Sequence, residues 1–312
     1  MITVIQQGDF TTLQDQGRWE YQAWGMPIAG AMDRYAYKMT NCLIGNQETA
    51  AVIEMTGSGA AFRFDEETLI SLCGADMQAR VNGKLIANWS SVLIPRRGEL
   101  YFGQAVLGRR AYLGVRGGFD VPLVMGSRST YTGAKLGGLE GRTLQQGDVL
   151  YMGKAILRPA KVQKLAAIDI PIFSKQWTLR VVSGPQTHLF QAESVVRFFT
   201  ESYFVTEAAD RVNYQLTGPK LAMLDKVDVI SDGVGLGAIE IPACGLPYIV
   251  APDHGTTRGF PKIGYIIQAD FSKVAQANTG DTIQFQQVTE AAAIAALQTE
   301  RTVYERIRKQ LG

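Results

Sequence analysis

Residues 253–262, Asp-His-Gly-Thr-Thr-Arg-Gly-Phe-Pro-Lys, set two hydroxyls and two cations among glycines, ahead of an apolar run from Ile263 to Ile267. Glycine lets backbone amides approach a ligand, hydroxyls both donate and accept, and Arg258 and Lys262 supply charge-assisted hydrogen bonds to carboxylate or phosphate. The composition suits a small anionic ligand held by Thr256, Thr257, Arg258 and Lys262. It also suits a tight turn whose threonines bond their own backbone. His254 is placed to titrate beside a ligand, whereas His188 reads as structural.

Further arginines sit beside glycines: Arg18 after Gly17, Arg116 before Gly117-Gly118, Arg128 after Gly126-Ser127 and Arg142 after Gly141. A guanidinium next to exposed backbone amides is a good anion receptor, and together with Arg258 these make at least one anion site expected. Common catalytic templates are absent. The glycines of 233–237 have the wrong spacing for a dinucleotide loop and lead into an apparent strand; Gly83-Lys84 and Gly153-Lys154 lack the Ser or Thr of a phosphate-binding loop; there is no nucleophile elbow.

These loops need a scaffold. The 312 residues, 46% of them hydrophobic, suffice for two domains of ordinary size. A net charge of +2 gives no reason to expect nucleic acid or an anionic membrane as partner. Cys42, Cys73 and Cys244 are far apart and, with two histidines, form no zinc-like spacing, so no metal site is expected and each thiol is expected to pack as a small hydrophobe. Residues 1–6 read as a strand with no signal peptide, and no segment approaches the roughly 20 apolar residues of a membrane span. The expected address is the cytoplasm.

Strand signals dominate: 59–64, 68–73, 77–81, 84–86, 91–94, 100–102, 111–115, 149–152, 178–182, 238–241, 248–251 and 282–286. Asn82-Gly83 predicts a two-residue hairpin, because both turn positions need positive φ. With 33 glycines punctuating the strands, closed antiparallel sheets are favoured over a parallel α/β wrap. Helices are expected from Asp33 to Ile44 with Asp33 as cap, at 191–199, at 271–277, and after Thr289, where Ile294, Leu297, Tyr304, Ile307 and Leu311 form a stripe expected to dock on its own domain. The opening strand and a closing Gly-Asp-strand recur in both halves, and 158–176 reads as the linker. The expected domains are 1–165 and 166–312.

Motifs along nearly the whole chain carry a family resemblance: 11–18 (Thr-Thr-Leu-Gln-Asp-Gln-Gly-Arg), Gly30-Ala31-Met32-Asp33, Asn41 with Gly45-Asn46, Glu54-Met55-Thr56, 117–122, 126–130, 137–142, Ser183-Gly184-Pro185-Gln186, Asp210-Arg211, and Thr256-Thr257 with 259–262. The chain resembles the C subunits of bacterial ATP-dependent 5-oxoprolinases, also described as kinase-inhibitor antagonists and as the second subunit of allophanate hydrolase. It is similar as well to the later half of the carboxyltransferase domain of urea amidolyase. The resemblance implies a mainly β protein with few helices, in two β-barrel-like domains, the second cyclophilin-like. It implies a B-type partner subunit, a third lactam-hydrolysing subunit, and ATP-dependent opening of 5-oxoproline to glutamate, with ATP and Mg bound at the level of the complex. That chemistry needs cations, for which Arg18, Arg116, Arg128 and Arg211 join the loop residues above, and a base, for which Asp15, Asp33 and Asp253 are candidates. Two alternatives stay open: a regulatory protein that captures a kinase inhibitor, and a carboxyltransferase half-site receiving carboxybiotin from another protein, since no biotin-acceptor Met-Lys-Met is present. Departures from the family pattern are Arg258 where glycine is usual, Val212-Asn213 where Met-Gly is common, and Glu240 where glutamine is usual.

Overall fold

A computed structural model describes residues 1–154, 161–224 and 229–311. The first residues of the expected linker, 158–160, lie outside that set. The chain forms two compact units. The first comprises Met1–Trp19, Ala29–Phe173 and Val303–Gly312; the second comprises Glu20–Ile28 and Ser174–Thr302.

The first unit holds eleven strands among its described residues: β1 (Ile2–Gln6), β2 (Phe10–Gln14), β3 (Val52–Thr56), β4 (Ala61–Phe64), β5 (Thr68–Asp76), β6 (Arg80–Val81), β7 (Lys84–Leu85), β8 (Ser90–Ile94), β9 (Glu99–Tyr101), β10 (Leu107–Val115) and β11 (Val149–Leu150). They make two sheets, in the orders β11-β1-β4-β9-β6-β7 and β2-β3-β10-β5-β8. Ile2, Val4, Phe62 and Phe64 from one sheet share a core with Leu13, Ile53, Ile70 and Leu113 from the other, as expected of sheets that each turn one apolar face inward. The hairpin forms at Asn82-Gly83, with φ of 48° and 81°.

Helix α1 (Arg34–Leu43) starts where its cap predicts, with the Asp33 side chain accepting from the Ala36 amide at 2.9 Å. Its face of Ala36, Met39, Thr40 and Leu43 is buried. Three of these residues join a second core with Tyr37, Val52, Trp89 and Tyr112, which Tyr304 and Ile307 complete. The sequence reading attaches the whole terminal helix to the second half; its last turns belong instead to the first unit. The stripe is divided accordingly, since Ile294 is 58% exposed while Ile307 is 1% exposed.

In the second unit β12 (Gln176–Ser183), β13 (Ser202–Val205), β14 (Asn213–Thr217), β16 (Ala238–Glu240), β17 (Tyr248–Val250), β19 (Lys262–Ile266) and β20 (Thr282–Gln287) close a seven-stranded barrel in the order β12-β19-β16-β17-β14-β13-β20. A separate ribbon pairs β15 (Asp232–Gly233) with β18 (Thr257–Arg258). The helices are α2 (Ala192–Thr200), α3 (Phe271–Gln276) and α4 (Glu290–Leu311). Phe198 of α2 stacks on Phe285 of β20, ring centroids 4.4 Å apart. The barrel is not wholly antiparallel. Strands β12 and β20 run parallel, whereas β1 and β11 pair antiparallel, so the repeated opening and closing strands of the two halves match in sequence but not in direction.

Asp270, 1% exposed, ties β12 to α3: its carboxylate accepts from the Arg180 amide at 2.9 Å, from the Arg180 guanidinium at 2.8 and 2.9 Å, and from Lys273 Nζ at 2.9 Å. Burial alone would raise its pKa, but these donors outweigh it and hold the carboxyl below the ordinary aspartate value. A depressed folded pKa adds stability that is present above the unfolded value and is lost as pH falls through the folded one. Asp270→Asn is therefore expected to lower the urea midpoint at pH 7, with the gap to the unaltered protein closing in acid; a gap that persists undiminished at pH 2–3 would refute the assignment.

Candidate functional site

The segment from Asp253 to Lys262 is built on the second unit's barrel. Arg211, just before β14, forks onto Asp253 through Nε to Oδ2 and Nη2 to Oδ1, both 2.9 Å, with the two side chains almost wholly buried. The Asp253 amide donates back to the Arg211 carbonyl at 2.8 Å. His254 is buried and its Nδ1 lies 2.7 Å from the Gly255 carbonyl; a carbonyl only accepts, so Nδ1 carries the proton and Nε2 the lone pair. Burial, first among the causes, keeps the ring below the ordinary histidine pKa and hence neutral. The Thr256 backbone carbonyl accepts from the Val234 amide at 3.0 Å, and β18 then pairs with β15, setting Arg258 opposite Asp232.

Beside this ribbon lies a polar box. Antiparallel pairing puts Glu240 of β16 opposite Lys262 of β19, next to a register shift at Ile239/Glu240. Arg258 Nη1 donates to Glu240 Oε2 at 3.1 Å. Glu240 Oε1 and Lys262 Nζ are both buried with no hydrogen-bond partner among the described residues. Asp232, itself 70% exposed, lies 4.0 Å from Nζ. Burial raises the Glu240 pKa, with Arg258 and Lys262 opposing it. Tyr265 belongs to the same surroundings, its hydroxyl pushed up by burial and then by the charges of Asp232 and Glu240. Close backbone packing fixes one wall: the Lys262 amide donates to Gln186 Oε1 at 3.1 Å, and a side chain at Gly184 would lie 2.2 Å from the Lys262 carbonyl.

The candidate residues thus separate. Arg211, Asp253, Thr256, Thr257, Arg258 and Lys262 share the second unit, while Asp15, Arg18, Asp33, Arg116 and Arg128 lie in the first. Asp15, 3% exposed, accepts from the amides of Gly17 at 2.8 Å and Arg128 at 2.6 Å and from the hydroxyls of Ser127 at 2.7 Å and Ser129. Arg18 is fully buried and donates to the carbonyls of Val124 and Ser129; Arg128 Nε donates to Val121. Arg116 flanks the positive-φ turn Gly117-Gly118, its amide bonded to Leu69. Asp33 caps α1. All three base candidates are therefore engaged in holding structure, an environment that suits an anchoring anion better than a proton acceptor. Arg142 forks onto Asp148 at 2.7 and 2.9 Å.

Asp232 and Tyr265 are neighbours of the loop that sequence reasoning misses, Asp232 because it lies on the remote strand β15 and Tyr265 because it is hidden in the apolar run that follows Lys262 on β19; Gln186 enters the sequence reading only within the 183–186 motif. Glu240 carries a signal, as the one charge in the apolar run from Gly237 to Ile241. Two departures from the family pattern, Arg258 and Glu240, prove to be one feature: they bond each other. Cys73 is buried, Cys42 partly so with its thiol raised to about 11 by burial, and Cys244 is exposed, so only Cys73 packs fully as a hydrophobe. Among the described residues no three His, Cys, Asp or Glu side chains converge on a metal position, and no helix is long and apolar enough to cross a membrane.

The carboxyltransferase domain, subdomain A and B, family matches residues 24–287. The chain is 32% identical to the C subunit of the 5-oxoprolinase of Escherichia coli over 100% of its own length and 99% of that protein. It belongs to this carboxyltransferase family, with the 5-oxoprolinase C subunits among its relatives. It is also 34% identical to the urea amidolyase of Lachancea kluyveri over 90% of this chain but only 16% of that protein. The crystal structure of K. lactis urea amidolyase superposes with a TM-score of 0.93 at 29% identity, over 98% of this chain and 20% of that one. The carboxyltransferase match takes in the whole polar box and ends with β20, leaving α4 outside it.

Proposed function

We propose that the chain is the C-type subunit of an ATP-dependent 5-oxoprolinase, acting with a B-type subunit and a third, lactam-hydrolysing subunit to open 5-oxoproline to glutamate. The observation that carries this reading is end-to-end similarity: the chain spans 99% of the Escherichia coli oxoprolinase subunit but only 16% of the urea amidolyase of Lachancea kluyveri. The polar box agrees in kind, since a buried ammonium and a buried carboxylate oxygen, neither hydrogen-bonded among the described residues, suit a small polar substrate better than a second protein. In this reading Lys262 and Arg258 bind and orient the substrate, and the Arg211–Asp253 pair fixes the loop that carries them.

The box does not fit a nucleotide triphosphate. Its cations already face Glu240 and Asp232, leaving too little positive charge for polyphosphate. ATP, with Mg, is assigned to another part of the complex, which sits in the cytoplasm where ATP is supplied. The separated chain is accordingly expected to fold and to show no ATP-dependent hydrolysis of 5-oxoproline, while co-purification with the products of neighbouring genes restores glutamate formation. Turnover by the chain alone, or none from the full complex, would overturn the reading.

A carboxyltransferase half-site is the second reading, favoured by the 0.93 TM-score to urea amidolyase. Biotin would then arrive on a separate carrier. Decarboxylation of carboxybiotin by the complex, stimulated by urea and indifferent to ATP, would select it over the first.

A further inference from the structure

Buried charged atoms are ordinarily satisfied, and this chain shows the contrast within itself. Glu54 is as buried as Glu240, yet its Oε2 accepts from the Met32 amide and the Tyr112 hydroxyl, each at 2.8 Å. Glu240 differs. Its Oε2 takes Arg258, but among the described residues Oε1 has no hydrogen-bond donor, and opposite it across the β16–β19 ladder Lys262 Nζ has no hydrogen-bond acceptor. The pair does not close on itself. An ammonium that only donates beside a carboxylate oxygen that only accepts is the complement of a group presenting an acceptor and an N–H donor side by side. An unsubstituted lactam, a primary amide or urea has that arrangement. A carboxylate lacks the donor, and an N-alkylated amide has lost it.

We propose that Lys262 Nζ and Glu240 Oε1 together recognise the amide group of the substrate, the ammonium on its carbonyl oxygen and the carboxylate on its syn N–H, so that the site selects unsubstituted amides. This deepens the functional reading above by naming the substrate's recognised group, and it rests on the same box being the substrate site. Arg258 gives the selection its direction. A guanidinium never accepts, so the oxygen facing it must be an acceptor, and a glutamine at 240 would turn its carbonyl to Arg258 and its amide N–H toward the ligand. Glutamate leaves an acceptor pointing at the ligand in either orientation.

Calorimetric or NMR titration of the full chain with 2-pyrrolidinone, N-methyl-2-pyrrolidinone and acetate tests this directly. The unaltered protein is expected to bind 2-pyrrolidinone at least about tenfold more tightly than the N-methyl compound or acetate, because a site built around a hydrogen-bonding pair rejects analogues that leave it unpaired. Lys262→Met is expected to weaken 2-pyrrolidinone binding by more than about thirtyfold with the melting temperature kept. Glu240→Gln is expected to invert the preference toward acetate, and adding Arg258→Gly, which frees the glutamine to flip, to restore lactam binding. Equal binding of lactam and N-methyl lactam, an unchanged preference in Glu240→Gln, or no saturable binding of any probe would overturn the proposal and leave the two atoms as a hydrated pair. Since the titration needs neither ATP nor partners, its outcome is independent of whether the assembled complex turns over 5-oxoproline.

Discussion

Asp253→Ala will cost roughly 3–5 kcal/mol of stability, the range for removing one partner of a buried ion pair, because it leaves the Arg211 guanidinium without its two-pronged acceptor in a nearly dry setting. The loss comes from burying a cation deprived of this carboxylate more than from the missing attraction. Replacing both partners with apolar residues, Arg211→Met with Asp253→Leu, should therefore recover much of what the single variant loses. Urea unfolding monitored by circular dichroism measures both. Should Asp253→Ala keep its unfolding midpoint while the reconstituted complex loses turnover, Asp253 is a base and the structural assignment fails.

The second large effect is expected in the first unit. Asp15 gathers four donors, two amides and two hydroxyls, and Asp15→Asn replaces one accepting oxygen with an N–H group that faces donors. At about 1–3 kcal/mol for each buried group left unsatisfied, the substitution should cost on the order of 3 kcal/mol. In a unit of this size that is roughly 6–12 °C of melting temperature. Arg18 should feel it too, since one carbonyl that receives its guanidinium belongs to Ser129, whose hydroxyl Asp15 holds. An unshifted melting temperature together with lost turnover would return Asp15 to the chemistry.

Why some of this is legible in the sequence, and some not, follows from how far each signal reaches along the chain. The Asn82-Gly83 turn, the Asp33 cap and most hydrophobic strands are local features, and each forms where the residues put it. Strands β2 and β3 escape the pattern although both are largely buried; Thr11, Thr12 and Gln14 are buried polar residues, and hydropathy does not register a side chain such as Gln14, whose amide donates to Thr12 Oγ1 and to the remote Thr130 carbonyl. The loop at 253–262 announces itself by composition. Which of its charges anchor and which stay available is hidden, because the partners are remote: Arg211 lies 42 residues before Asp253, and Glu240 lies 18 before Arg258. Glycine-flanked arginines raise the expectation of anion sites throughout, yet Arg18 and Arg128 use their guanidinium groups on backbone carbonyls.

The placement of Tyr304 and Ile307 in the core shared with Tyr37 and Trp89 bears on how the chain is made. Domains usually fold in the order in which they leave the ribosome. The first unit cannot follow that order to completion, since the residues that finish its second core are translated after the entire barrel of the second unit. Until residues 303–311 emerge, α1 and Trp89 keep an uncovered apolar face, a surface that invites chaperones or premature association. The barrel closes with β20, before that segment is synthesised, so during translation the later unit is expected to mature first and the earlier one last.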